Sequence, residues 1–222
     1  MARTTLHSDA NRLTLTPVSS GLRVGFWLCI VVAIAAVMRR LIALGKTPSV
    51  TEPPDLRRLD EFFRSHASLT YAHIGTALLF VCILPLVYWN RTRHWKPVRA
   101  LFYLLGLIVG LTAFGMAAHP VGGFVEGAAV VVFNLLFIFS LAQSFRAWRV
   151  GDLIADRRWT LRATAIVLGI ATTRPVMGIF FATVRLTGWT PHQFFGPAFW
   201  IGFSINTVVM EIALRRHARS IE

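Results

Sequence analysis

The chain has 222 residues, of which 55% are hydrophobic and 15% charged, and its mean hydropathy is +0.59. That mix leaves too little polar surface to keep a soluble domain dispersed, so the solvent of most of the chain is lipid. The formal charge of +13 would point to phosphate binding in a soluble protein; here the arginines lie between apolar runs, as in loops that orient membrane helices, which argues against a nucleic-acid partner.

Residues 1–22 are polar, rich in Ser and Thr, and read as a disordered cytoplasmic tail. A helix needs about 20 apolar residues to cross a hydrocarbon core of about 30 Å, and six runs approach that length. The first span, 23–45, is apolar from Val24 to Met38. Arg39 and Arg40 then snorkel at the far interface while the helix continues to Leu44. Ala33-Ile34-Ala35 has the small-residue spacing of a signal-peptidase site, but the long polar lead and the five later spans favour an uncleaved anchor.

Residues 46–68 carry Pro48, Pro53 and Pro54, then Leu56, Leu59, Phe62 and Phe63 among charged residues, the spacing of an amphipathic helix on the membrane surface. The five-helix core, 69–216, holds spans at 69–89, 99–118, 124–146, 161–186 and 194–214, followed by a short tail at 217–222. Trp89, Trp95, Trp148, Trp159 and Trp189 suit an interfacial belt. Fifteen Lys and Arg residues fall on one side of this topology and seven on the other, where Arg185 alone occupies the two short loops. Both termini are therefore expected in the cytoplasm, on an all-α, polytopic bundle.

Cys29 and Cys82 both lie in apolar runs and read as packing residues, without a disulfide or thiolate metal site. Ionisable groups at membrane depth are costly and are functional candidates by default. His73 lies about one turn inside the second span and His119 ends the third, at similar depth near the outer face. Facing imidazoles would ligate haem b or a transition metal. Thr112, Gly115, Met116 and His119 share a face, and Gly115, a turn from His119, would leave room for a flat cofactor. Arg174, near the middle of the fifth span, shares a stripe with Gly178, Phe181 and Arg185. Those two arginines would bind a haem propionate, an acidic substrate or a lipid headgroup. Alternatively, Arg174 satisfies carbonyls freed by Pro175. Glu126 opens the fourth span and would accept from His119 or Arg185, or simply favour the helix dipole. Glu211 precedes Arg215 by four residues, the order of a helix ion pair, and Asn134 and Asn206 suit interhelical hydrogen bonds. Gly106 and Gly110 form a G-x-x-x-G pattern that allows close approach, within the bundle or to a protein partner or second copy.

Ala72-His73-Ile74-Gly75, Arg93-His94-Trp95 leading to Tyr103, Gly151-Asp152, the block from Arg157 to Arg162, and Arg174 together resemble a bacterial membrane family, the domain-of-unknown-function family 2306. The likeness runs over about residues 68–216. It implies a multi-pass protein of the bacterial inner membrane, with histidines at His73 and His94, and brings no settled activity. Where the family often has His before Arg-Arg-Trp, this chain has Asp156. His94, in an arginine-rich loop, suits positioning against lipid phosphates. Three functions stay open: a cytochrome-like redox protein with haem or metal on His73 and His119; a carrier or sensor for an anionic molecule or lipid recognised by Arg174; and a non-catalytic membrane subunit.

Overall fold

The structure is a computed structural model that describes residues 20–45, 61, 63–89, 91, 92 and 95–219. Among the described residues there are six long helices and no strand: α1 (Ser20–Gly45), α2 (Ala67–Tyr88), α3 (Lys96–Ala117), α4 (Gly123–Val150), α5 (Leu153–Thr187) and α6 (Pro191–Arg219). All six are long and apolar enough to cross a membrane. Leu28, Leu104, Leu111, Leu135, Phe139 and Val208 point outward and exposed, as residues do when the surroundings are lipid rather than water. His94 and most of the proposed amphipathic segment lie outside the described residues; its end, from Phe63 to Ser65, is helical.

Consecutive helices run antiparallel. Phe26 of α1 meets Tyr88 at the end of α2, edge to face at 5.6 Å, while Arg64, just before α2, donates to the Ala43 carbonyl near the end of α1 at 2.8 Å. Helix α5 is the central element and packs against α1, α4 and α6. Phe80, Phe102 and Phe137 join α2, α3 and α4 at the heart of the bundle, with Phe80 stacked on Phe102 at 5.2 Å and edge-on to Phe137 at 5.8 Å. A second core of Met177, Phe194, Phe195 and Ala198 fills the space between α5 and α6 at the end of the bundle where these two helices are joined.

Close approach is set by glycines. A Cβ on Gly202 would stand 2.6 Å from the Thr173 backbone, and one on Gly169 would stand 2.9 Å from the Phe203 Cα, so α5 and α6 touch backbone to backbone. Gly106 and Gly110 are buried against α4, facing Leu141 and Ile138, and the Gly110 carbonyl accepts from Asn134 Nδ2 at 2.9 Å. The G-x-x-x-G pattern therefore serves helix contact within the chain. The expectation of an oligomer or partner through these glycines is corrected: α4 already covers the face.

Helix α5 begins earlier than the hydropathy pattern suggests. Gly151 turns the chain in the left-handed conformation, and the Asp152 carboxylate accepts from the Ala155 N–H at 2.9 Å, capping a 35-residue helix. A helix of that length extends about 52 Å, well beyond a hydrocarbon core of about 30 Å. From Arg162 to Arg185 is a rise of about 34 Å. With Arg162 and Arg185 as the polar limits of the crossing part, the residues before Arg162 extend toward the headgroups and Arg174 falls near its middle.

Because backbone cannot retreat as a side-chain tip can, Gly202→Ala is expected to destabilise the protein by about 1–3 kcal/mol. Gly25→Ala, where a Cβ meets nothing within 4 Å, should leave stability unchanged. Thermal unfolding in mild detergent compares the two.

Candidate functional site

Two polar centres lie within the bundle. The first joins α2, α3, α4 and α5 near the end of the bundle where α1 begins. Arg99 forms a buried ion pair with Asp156, and the same guanidinium donates to Tyr103. Ser144 donates to Asp156 at 2.7 Å and lies 2.8 Å from the Thr160 hydroxyl. Tyr88 adds α2 through the Thr164 hydroxyl at 2.7 Å. Arg99 Nε is buried without a hydrogen-bond partner among the described residues.

Sequence reading missed this centre by counting Arg99 as one more orienting charge and Asp156 as a departure from a family pattern. A signal was present. Asp156, Thr160 and Thr164 recur every four residues on one face of α5, and Arg99 and Tyr103 do so on α3.

The second centre is at mid-depth and toward the opposite end. Arg174 is exposed, and its one hydrogen-bond contact among the described residues is Met177 Sδ at 3.9 Å, a weak acceptor. It therefore does not serve the carbonyls freed by Pro175. Arg39 and Arg40 of α1 lie near enough for their charges to act on it, and Glu126 acts with the opposite sign. The Arg40 guanidinium sits 4.0 Å over the Phe63 ring. Among the described residues Glu126 forms no ion pair: its Oε2 accepts from the Gly122 N–H at the start of α4. The proposed bonds from His119 and Arg185 to Glu126 are thus replaced by a backbone cap. Arg185, exposed eleven residues beyond Arg174, continues the same stripe.

The histidines are paired otherwise than the spacing suggests. His73 Nδ1 is 2.9 Å from Thr112 Oγ1. That hydroxyl also lies within hydrogen-bond distance of the Ile108 and Val109 carbonyls, which ties the imidazole to the α3 backbone through Thr112. His119 faces His66 instead, with ring centroids 4.3 Å apart. The two contacts are successive rungs of the antiparallel α2–α3 pair, seven residues or about 10 Å apart along the axis. Leu69 lies between the rungs and fills the space beside Gly115, where a Cβ would meet its Cδ1 at 3.2 Å. The paired His73–His119 ligation and the slot for a flat cofactor are corrected on this geometry: two turns and a leucine separate the imidazoles. Among the described residues, no three His, Cys, Asp or Glu side chains converge as a metal site.

Glu211 also has a stronger partner than its helix neighbour. Arg162 grips it with two bonds of 2.9 and 3.0 Å across α5 and α6, whereas Arg215 stands 3.6 Å away. Asn206 accepts from Thr172 at 2.7 Å, and Cys29 packs beside the same threonine.

Comparison with protein-family models, curated proteins and solved structures gave no match to the chain. Function is argued from the two polar centres alone.

Of the two, the Arg99–Asp156 centre has its opposite charges paired within the bundle. Asp156→Ala leaves a buried guanidinium without its counter-charge and should cost about 3–5 kcal/mol, while a double replacement of Arg99 and Asp156 by Met and Leu should recover much of that loss. Chemical or thermal unfolding of the two variants in detergent measures the difference.

Proposed function

We propose that this chain is a carrier or receptor for a small anionic molecule or lipid, recognised by Arg174 in the middle of the membrane. The observation that carries the reading is a guanidinium near the centre of a span whose one hydrogen-bond contact among the described residues is a thioether. A guanidinium cannot neutralise itself by losing a proton, and its unmet hydrogen bonds in hydrocarbon are costly. A carboxylate or phosphate satisfies it in bidentate fashion. Arg39 and Arg40 add positive potential at Arg174, and Glu126, which acts with the opposite sign, is itself bound to backbone. Phe181 and Arg185, farther along the Arg174 stripe, supply an apolar surface and a second cation on the route to the end of the bundle.

On this reading the protein is a multi-pass protein of the bacterial inner membrane with both termini cytoplasmic, as the arginine distribution and the family resemblance suggest. Arg174 is then reached from the outer half. The redox reading competes with it, but the pair on which that reading rests is parted: His73 meets Thr112, and His119 faces His66.

The test is thermal unfolding of the purified full chain with a fatty acid, a lysophosphatidic acid and inorganic phosphate. At least one anion should stabilise the wild type. Arg174→Gln should abolish the shift, a loss of about tenfold or more in affinity, as expected for a charge-assisted bond. Arg174→Lys should retain part of it. Purified protein with a haem absorption band, or stabilisation unaltered in Arg174→Gln, would overturn the proposal.

A further inference from the structure

A separate cation-lined cavity lies at the other end of α5. It has a volume of about 490 Å³ and is lined by Asp152, Ile154, Ala155, Arg158, Trp159 and Arg162. Its charged groups are not equivalent. Asp152 is engaged as the cap of α5 through the Ala155 N–H. Arg162 is held on one side by Glu211 and on the other by the face of Trp159, 4.6 Å from the ring centroid. Trp159 is itself fixed edge-on to Phe139 of α4 at 5.5 Å. Arg158 is exposed and forms no hydrogen bond or ion pair among the described residues. The wall thus presents one orientated, partly compensated guanidinium and one uncompensated guanidinium, over the first two turns of a helix whose dipole adds positive potential.

The length of α5 places this cavity at headgroup level, since it lies at and before Arg162, where the helix leaves the hydrocarbon core. Its surroundings are mixed in the same sense. Val150, Leu153 and Ile154 are exposed around the α4–α5 turn, with Val150 at 80%. Exposed aliphatic residues beside a positive cavity of about 490 Å³, larger than a phosphate alone requires, match a molecule that has both an anionic head and acyl chains. A water-soluble phosphate would make no use of that apolar rim.

We infer that the cavity bounded by Arg158, Trp159 and Arg162 binds the phosphate ester of an anionic phospholipid headgroup. Arg158 makes the direct contact with the phosphate oxygens. Arg162 and Trp159 form the rigid wall, and the acyl chains lie along the apolar turn. The site is independent of Arg174, which is twelve residues, or about 18 Å of helix rise, away.

The experiment uses the full chain in nanodiscs of phosphatidylcholine with and without phosphatidylglycerol, and counts retained lipid by native mass spectrometry after transfer to detergent. Wild type should retain phosphatidylglycerol in preference to phosphatidylcholine. Arg158→Gln should weaken that retention about tenfold, the loss of one charge-assisted contact. Arg149→Gln, which removes an equal charge from the same end of the bundle outside the cavity, should change it by less than about twofold, as for general surface attraction, and Arg174→Gln should leave it unaltered. Equal losses in Arg158→Gln and Arg149→Gln would overturn the site in favour of undirected surface charge. Displacement of the lipid by equimolar soluble glycerol phosphate would overturn the lipid assignment.

Discussion

The bundle depends on one ion pair withdrawn from both water and lipid. Arg99 and Asp156 are buried together, and five further side chains, Tyr103, Ser144, Thr160, Thr164 and Tyr88, are arranged around them. A charge in a low-dielectric interior tolerates few alternatives, because any rotation of α3, α4 or α5 that parts the pair leaves two unsatisfied ions. Apolar contacts among Phe80, Phe102 and Phe137 would accept a slipped register at modest cost; the polar centre would not. It therefore sets the relative rotation of three helices and, through the Tyr88 hydroxyl, the end of a fourth.

Helix α5 shows how one element holds polar groups of different standing. Asp156 is satisfied within the bundle, and Arg162 is shared between Glu211 and Trp159. Among the described residues, the one hydrogen-bond contact of Arg174 is a sulfur atom. Arg162 and Arg174 differ in their acceptors, although both are charged and both lie in one membrane helix. Glu126, whose charge acts on Arg174, is bound at a helix start, a favourable use of a negative charge.

Small residues make the same point from the apolar side. Gly106 and Gly110 look like a dimerisation motif along one helix, but in the folded chain α4 takes the groove, with Ile138 and Leu141 as knobs and Asn134 closing it by a hydrogen bond. Gly115 looks like room for a cofactor and is instead the seat of Leu69. Space beside a glycine is filled by whichever neighbour the packing brings, and nothing within a single helix says which.

By itself the sequence determined the six long apolar helices, their approximate limits and the presence of a charge within the fifth at Arg174, because hydrophobic length and mid-run charge are local properties of one helix. It located the interhelical roles of Asn134 and Asn206 in kind but not in partner. The two extra turns at the start of α5 escaped it because their charged residues interrupt the hydropathy signal, although Asp152 carries the cap. Only the tertiary structure decided that His73 meets Thr112, that His119 meets His66, and that Arg99 closes on Asp156. The 3.6-residue period tells which residues share a face; the rotation and register of one helix against the next arise from packing that the period does not contain.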